Sequence, residues 1–230
     1  SRQAAIGWML HRACRILVGY AAFIHPRRIG PDGERIRSWK GEAGVIVANH
    51  QSSLDIIMIL ATFPKVKFMV ADWVLTSPLF GVISRFLGYY SRSKGYEKSL
   101  ERLRTDVADG WCLAVFPEGT RSLNGKIKRF HKGAFYLASQ VGVPVIPVVF
   151  YGNWRIAPKN QGFNMTEGIA VTEVMAPVST ISAEYHELTV RISSLVKAEY
   201  AELCRKYDSP VNPYFRKALV SSYIYKGPVT

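Results

Sequence analysis

Cysteine is scarce in this sequence: Cys14, Cys112 and Cys204 are the only three, far apart and in no metal-like spacing. That argues against a disulfide framework and a cysteine-based metal site, and fits free thiols in a reducing compartment. Histidine is sparse as well, five in 230 residues. His11, His25, His131 and His186 are scattered and read as structural or surface groups, so no metal is expected. Acidic side chains are few, 17 against 30 Lys and Arg, leaving a formal net charge of +13. Such a basic excess implies an anionic partner, and the candidates are nucleic acid, an anionic membrane or a phosphate-bearing substrate. Long apolar runs are missing too. The longest near the start, residues 16–24, falls short of the roughly 20 residues that span a bilayer. There is no internal repeat, no low-complexity stretch and no linker that would divide the chain.

What is present reads as an α/β domain. Hydrophobic residues make up 48% and charged residues 20%, enough apolar material for one sizeable core. The β-branched runs "VIVAN", "KFMVAD", "WCLAVFPEG" and "VPVIPVVFYG" read as buried strands, "YYSR" as a short one, and "TEGIAVTEVMAPV" as one or two outer strands. Helical patterns fall between them: "SSLDIIMILATF", "SPLFGVISRFLG", "GYEKSLERLRTDVADG", "GAFYLASQVG" and a long C-terminal "AEYHELTVRISSLVKAEYAELCRKY". Alternation of this kind predicts a mostly parallel central sheet flanked by helices. Residues 1–28 read as an N-terminal amphipathic helix ended by Pro26, and residues 29–230 as the body of a single domain. His11, Arg12 and Arg15 make a narrow basic stripe on that helix. Trp8, Met9, Leu17 and Phe23 would dip into a membrane surface, with a helix docked on the protein's own core as the alternative. Pro26 would be followed by two further cations, Arg27 and Arg28.

Three clusters carry chemistry. In "VIVANHQSSLD", His50 stands where a buried strand ends, which is where open α/β sheets build their sites. Asp55 follows five residues later. On one straight helix that spacing turns the two side chains about 140° apart. They meet only if His50 lies in the turn before the helix. A carboxylate bonded to one ring nitrogen would fix the tautomer and leave the other free to take a proton from a hydroxyl. A pair that merely caps the helix is the plainer alternative. Next, "FPEGTRS" at residues 116–122 follows another buried strand. Its Gly119 permits a tight turn or close approach to a ligand, and Arg121 offers a fork suited to phosphate oxygens. Lys126, Lys128, Arg129 and Lys132 follow. Third, Arg92 and Lys94 directly follow the short "YYSR" strand and so reach toward the same edge.

Taken together, these motifs resemble the glycerolipid acyltransferase family, which includes the 1-acylglycerol-3-phosphate acyltransferases. "NHQSSLD" is similar to its His-x-x-x-x-Asp block, "GYYSR" to its Gly-x-x-x-Arg block, "FPEGTRS" to its third and "VPVIPV" to its fourth, in the family's order across residues 45–150. The resemblance implies an O-acyltransferase moving a fatty acyl group from a thioester of acyl-carrier protein or CoA to the hydroxyl of a lysophospholipid, with no cofactor beyond that co-substrate. It implies His50 as general base and Asp55 as its orienting partner. Arg92, Glu118, Gly119, Thr120 and Arg121 would bind the acceptor's phosphate-bearing head or hold the loop that does. Pro144 and Pro147 would shape a strand lining the site. A peripheral or monotopic location is implied, on the cytoplasmic face of a membrane such as the bacterial inner membrane, with the anionic lipid surface as partner. Asp72 and Trp73 stand where the family often carries Lys-x-Glu-Leu, so the same chemistry on a non-phosphate acceptor, such as an acylated amino-acid lipid, is the alternative. Trp73, Leu75, Leu79, Phe80 and Phe86 would line an acyl slot, face the bilayer or fill ordinary core. No nucleic acid is expected, because "RFHK" is a poor match to basic residues interleaved with exposed aromatics.

Overall fold

The valine- and isoleucine-rich runs form the middle of one seven-stranded sheet. The structure is a computed structural model that describes residues 2–21, 24–78, 80–93, 95–159 and 165–208, with backbone alone for Phe80, Tyr96 and Lys98. The strands are β1 (Ile24–Ile29), β2 (Val45–Ala48), β3 (Val66–Val70), β4 (Tyr90–Ser91), β5 (Cys112–Val115), β6 (Val145–Tyr151) and β7 (Gly168–Val174). Their spatial order is β1-β7-β6-β2-β5-β3-β4. Every pairing is parallel except that of β6 with β7. The helices are α1 (Arg2–Tyr20), α2 (Leu54–Thr62), α3 (Asp72–Thr76), α4 (Phe80–Leu87), α5 (Tyr96–Ala108), α6 (Gly133–Val141), α7 (Asn153–Ile156) and α8 (Tyr185–Tyr207). They cover both faces, which is why β2, β5 and β6 are apolar at every position rather than at alternate ones. One core lies between the sheet and α1 and α2, centred on Phe63, Phe68, Ile146 and Phe150. The other, with Phe135, Leu137, Val149 and Ile192, lies under α5, α6 and α8.

Three sequence expectations change. First, α1 ends at Tyr20, six residues before Pro26, and "HPRRI" belongs to β1. Proline lacks an amide hydrogen, and β1 is the sheet's edge, the position in a sheet that tolerates this. A boundary at residue 28 therefore falls inside a strand paired to β7. Second, β7 is not an outer strand. It lies between β6 and β1 and is buried almost throughout. Third, His11 is not part of an exposed basic stripe. It is buried, and its Nδ1 lies 2.8 Å from the Leu60 carbonyl oxygen of α2.

The two readings of α1 apply to opposite faces of the same helix. Gly7, His11, Cys14 and Val18 are buried. Gly7 is needed there, because a β-carbon would lie 2.8 Å from the Trp111 ring. Burial holds the Cys14 thiol up at about 11, so it behaves as a small apolar side chain. On the other face Trp8 is 53% exposed, Met9 65% and Leu17 58%. Phe23 lies outside the described residues.

Candidate active site

At the end of β2 the backbone leaves the sheet, and a side chain takes over its pairing. Asn49 donates from Nδ2 to the Phe150 carbonyl (2.9 Å) and accepts at Oδ1 from the Phe150 amide (2.7 Å). This frees residue 50 to turn out at the C-terminal edge of the central strands. The chain then makes a short turn before α2, as the five-residue spacing requires. His50 Nδ1 and Asp55 Oδ2 are 2.8 Å apart. Asp55 is fully buried on the first turn of α2 and folds back over that turn. Its Oδ2 also accepts from the amides of Gln51 (2.6 Å) and Ser52 (2.8 Å), and its Oδ1 accepts from Asn153 Nδ2 (2.7 Å). With four donors converging on it, the carboxylate acts as an acceptor toward Nδ1, which selects the imidazole tautomer with hydrogen on that atom and leaves the Nε2 lone pair free. Ser52 supplies part of the cap: its hydroxyl accepts from the Leu54 amide and donates to the Ala157 carbonyl.

The loop after β5 braces His50 from the other side. Phe116 stacks on the imidazole with centroids 3.9 Å apart and planes 15° from parallel. Glu118 is buried, and both its oxygens accept from backbone: Oε1 from the His50 amide (2.7 Å), Oε2 from the Lys128 amide (2.8 Å). Burial raises its pKa above the ordinary carboxylate value, and the two amide bonds oppose that rise. The Ser122 amide donates to the His50 carbonyl at 2.7 Å. Of the roles the resemblance offered Glu118, its geometry matches holding the loop. The carboxylate is turned inward rather than toward a ligand.

The cations gather beside this loop. Gly119 adopts φ +72°, a conformation glycine takes without strain. A β-carbon on it would lie 3.4 Å from Arg92 Nη1 and 3.9 Å from His131 Cδ2. Arg92, Gly119 and His131 are therefore neighbours. His131 read as an isolated histidine in the sequence and is placed here by the bond from its amide to the Pro117 carbonyl. Arg92 is exposed and Arg121 half-buried, and among the described residues neither forms an ion pair. The Thr120 hydroxyl is 3.1 Å from Lys159 Nζ. Pro144 is not at the site: its carbonyl accepts from the Val45 amide, at the opposite end of β2 from His50. Lys94 and Leu79 lie outside the described residues, as does the side chain of Phe80. Trp73 and Phe86 are exposed rather than core. No group of metal-ligating side chains is found among the described residues.

The family profile described as Acyltransferase matches residues 31–151, more than half of the chain. The chain belongs to the acyltransferase family. A 1-acyl-sn-glycerol-3-phosphate acyltransferase of Saccharomyces cerevisiae is 36% identical over 148 residues, 59% of this chain and 47% of that protein. The chloroplastic 1-acyl-sn-glycerol-3-phosphate acyltransferase BAT2 of Brassica napus is 36% identical over 118 residues, 50% of this chain and 34% of that one. The chain thus spans about a third to a half of the length of these curated relatives. The crystal structure of the 1-acyl-sn-glycerophosphate acyltransferase PlsC from Thermotoga maritima superposes with a TM-score of 0.70 at 26% identity, covering 87% of this chain and 79% of that one. The acyltransferase match holds His50, Asp55, Arg92 and the 116–122 loop, and it stops two residues short of Asn153. Sequence reasoning missed that asparagine, although the rule that located His50 could have found it. Asn153 follows the C-terminal end of β6, the strand next to β2.

Proposed function

We propose that this chain carries the catalytic domain of a membrane-associated O-acyltransferase that moves a fatty acyl group from an acyl-carrier-protein or CoA thioester to the hydroxyl of a lysophospholipid such as 1-acylglycerol-3-phosphate. The observation that carries the reading is the 2.8 Å contact of His50 Nδ1 with an Asp55 carboxylate whose other acceptor positions are occupied. Nε2 of His50 takes the proton as the acceptor oxygen attacks the thioester carbonyl. The tetrahedral intermediate collapses, the carbon–sulfur bond breaks, and the thiolate recovers the proton from the imidazolium. Asp55 stabilises the imidazolium between the two steps, and Phe116 keeps the ring in plane. Such general-base catalysis contributes about 10² to 10⁴-fold.

The oxyanion needs donors that are not already engaged. Asp55 holds the amides of Gln51 and Ser52, and Glu118 holds that of His50. The amides of Thr120 and Arg121 have no protein acceptor among the described residues, which favours the Gly119 side of the cleft. Arg92 and Arg121, lacking carboxylate partners, receive the acceptor's phosphate in this reading. The exposed Trp8, Met9, Leu17, Trp73 and Phe86 meet the membrane surface. No helix among the described residues is long and apolar enough to cross a membrane.

The test is an assay of the purified protein with acyl-carrier-protein and CoA thioesters against a panel of hydroxyl lipids. Turnover with lysophosphatidate, abolished by His50→Ala, supports the proposal. Turnover only with an acceptor lacking phosphate would move the assignment to a different lipid and leave Arg121 without its role. Asp72, which accepts a hydrogen bond from the hydroxyl of Ser91, the residue before Arg92, favours this second outcome.

A further inference from the structure

Beneath α1, on the sheet face away from α5, α6 and α8, two polar atoms are buried without a hydrogen-bond partner: Arg28 Nη1 and Thr172 Oγ1. They are neighbours. Arg28 of β1 pairs in register with Thr172 of β7, and paired residues of parallel strands point to the same side of the sheet. That side also carries Ile24, Ala170 and Val174, which belong to the core under α1 and α2. Thr172 is fully buried. Burial pulls the pKa of Arg28 down, and the charges of Arg15 on α1 and Arg35 on the following loop add to that effect. Among the described residues no carboxylate forms an ion pair with Arg15, Arg28 or Arg35. His11, also near Arg15 and Arg28, has its pKa lowered, chiefly by burial.

A half-buried guanidinium with one nitrogen fully enclosed, beside two further cations and an unpaired buried hydroxyl, is costly unless something anionic joins it. We propose that Arg28, Thr172, Arg15 and Arg35 form a binding site for a phosphate group, separate from the His50 centre. β1 lies three strands from β2, about 14 Å at the usual strand spacing. Guanidinium groups pair with phosphate oxygens through two parallel N–H bonds, and a hydroxyl donates a third. A phospholipid headgroup is the source that best suits the surroundings. Arg15 sits on the helix whose outer face exposes Ile16, Leu17 and Tyr20, so a phosphate reaching Arg28 would leave its acyl chains along apolar surface. Free inorganic phosphate shares the chemistry and is separated from it by experiment.

Thermal unfolding of the whole chain is followed against inorganic phosphate at constant ionic strength, and sedimentation is measured with vesicles of phosphatidylglycerol or of a phosphate-free glycolipid. Two variants, Arg28→Met and Thr172→Val, are compared with their parent in an Arg121→Met background, which weakens the acceptor's own phosphate site so that the response read is that of the second site. A charge-assisted hydrogen bond is worth enough that losing one weakens binding about tenfold or more. That loss is expected for both Arg28→Met and Thr172→Val in this background. A response to inorganic phosphate identifies the free anion as the ligand. A response confined to phosphatidylglycerol vesicles identifies the headgroup. The proposal is overturned if both variants bind as their parent in both arms, or if Arg121→Met alone abolishes the response. It is equally overturned if only Arg28→Met weakens binding, since a non-specific basic surface would then account for it. Thr172→Val decides most cleanly. Without a ligand it removes an unpaired buried hydroxyl and leaves phosphate binding untouched.

Discussion

Asp55 accepts four hydrogen bonds, two from backbone amides and two from side chains, His50 and Asn153, that substitution can remove separately. Asn153 is the informative one, because it touches the carboxylate from α7 and lies beyond the family match. Asn153→Ala leaves Asp55 Oδ1 unpaired in a fully buried site, which costs about 1–3 kcal/mol. We expect a lower unfolding midpoint together with a fall in kcat, since the carboxylate loses one of the bonds that fix its orientation. Asp55→Asn tests the same carboxylate differently. An amide presenting its NH2 to Nδ1 would favour the wrong tautomer, so kcat should fall about 10⁴-fold by analogy with hydrolytic triads. His50→Ala should abolish transfer while thermal unfolding stays nearly unchanged, because the ring is stacked at the rim rather than packed in the core. Retained transfer would remove the base role. At this scale the sequence was most informative: strand ends located His50 and Asp55 from local chemistry. Phe116 stacking on His50 and Glu118 facing inward were not legible, since both depend on how two loops from distant parts of the chain approach each other.

Elements succeed or fail by what they pack against. In β7, Glu173 faces Glu199 of α8, and its carboxyl is raised to about 7, mostly by burial and then by the neighbouring charge, with Lys206 opposing. A carboxyl whose folded pKa lies above the unfolded value favours folding at low pH, and that contribution fades as pH rises toward 7. Glu173→Gln should therefore flatten the decline in unfolding free energy between pH 5 and pH 8, measured by denaturant titration. An unchanged slope would place the titration elsewhere. Helix α1 gives a second test. Gly7→Val should undock it, because the added branch meets the Trp111 ring, whereas Trp8→Ser with Leu17→Ser should leave stability alone and weaken vesicle binding. The strand runs and most helices were readable from periodicity, and the helix α4 closes before Gly88 as expected. β1 was hidden because its pattern, "IHPRRI", has neither alternation nor an apolar run. Only pairing with β7, some 140 residues away, makes it a strand.

For the molecule as a whole, charge and shape act together. The chain carries +13 and exposes aromatic residues on α1, α3 and α4. Binding to anionic vesicles should have a salt-sensitive part, screened over about 8 Å at physiological ionic strength, and an apolar part that survives high salt. Sedimentation across a salt series separates the two, and binding lost completely at high salt would mean that the aromatic face contributes nothing. A parallel α/β sheet followed from composition and alternation, while the antiparallel reversal at β7 did not, because reversal is a property of connections rather than of strand sequences.

With Nδ1 committed to Asp55, a single ring atom is left for both halves of the proposed reaction. Incoming alcohol and departing sulfur must then approach from one side of the imidazole, in turn or side by side. A lipid and a carrier-borne chain crowding into one doorway would compete when either is abundant, and the kinetics should show each substrate inhibiting at high concentration.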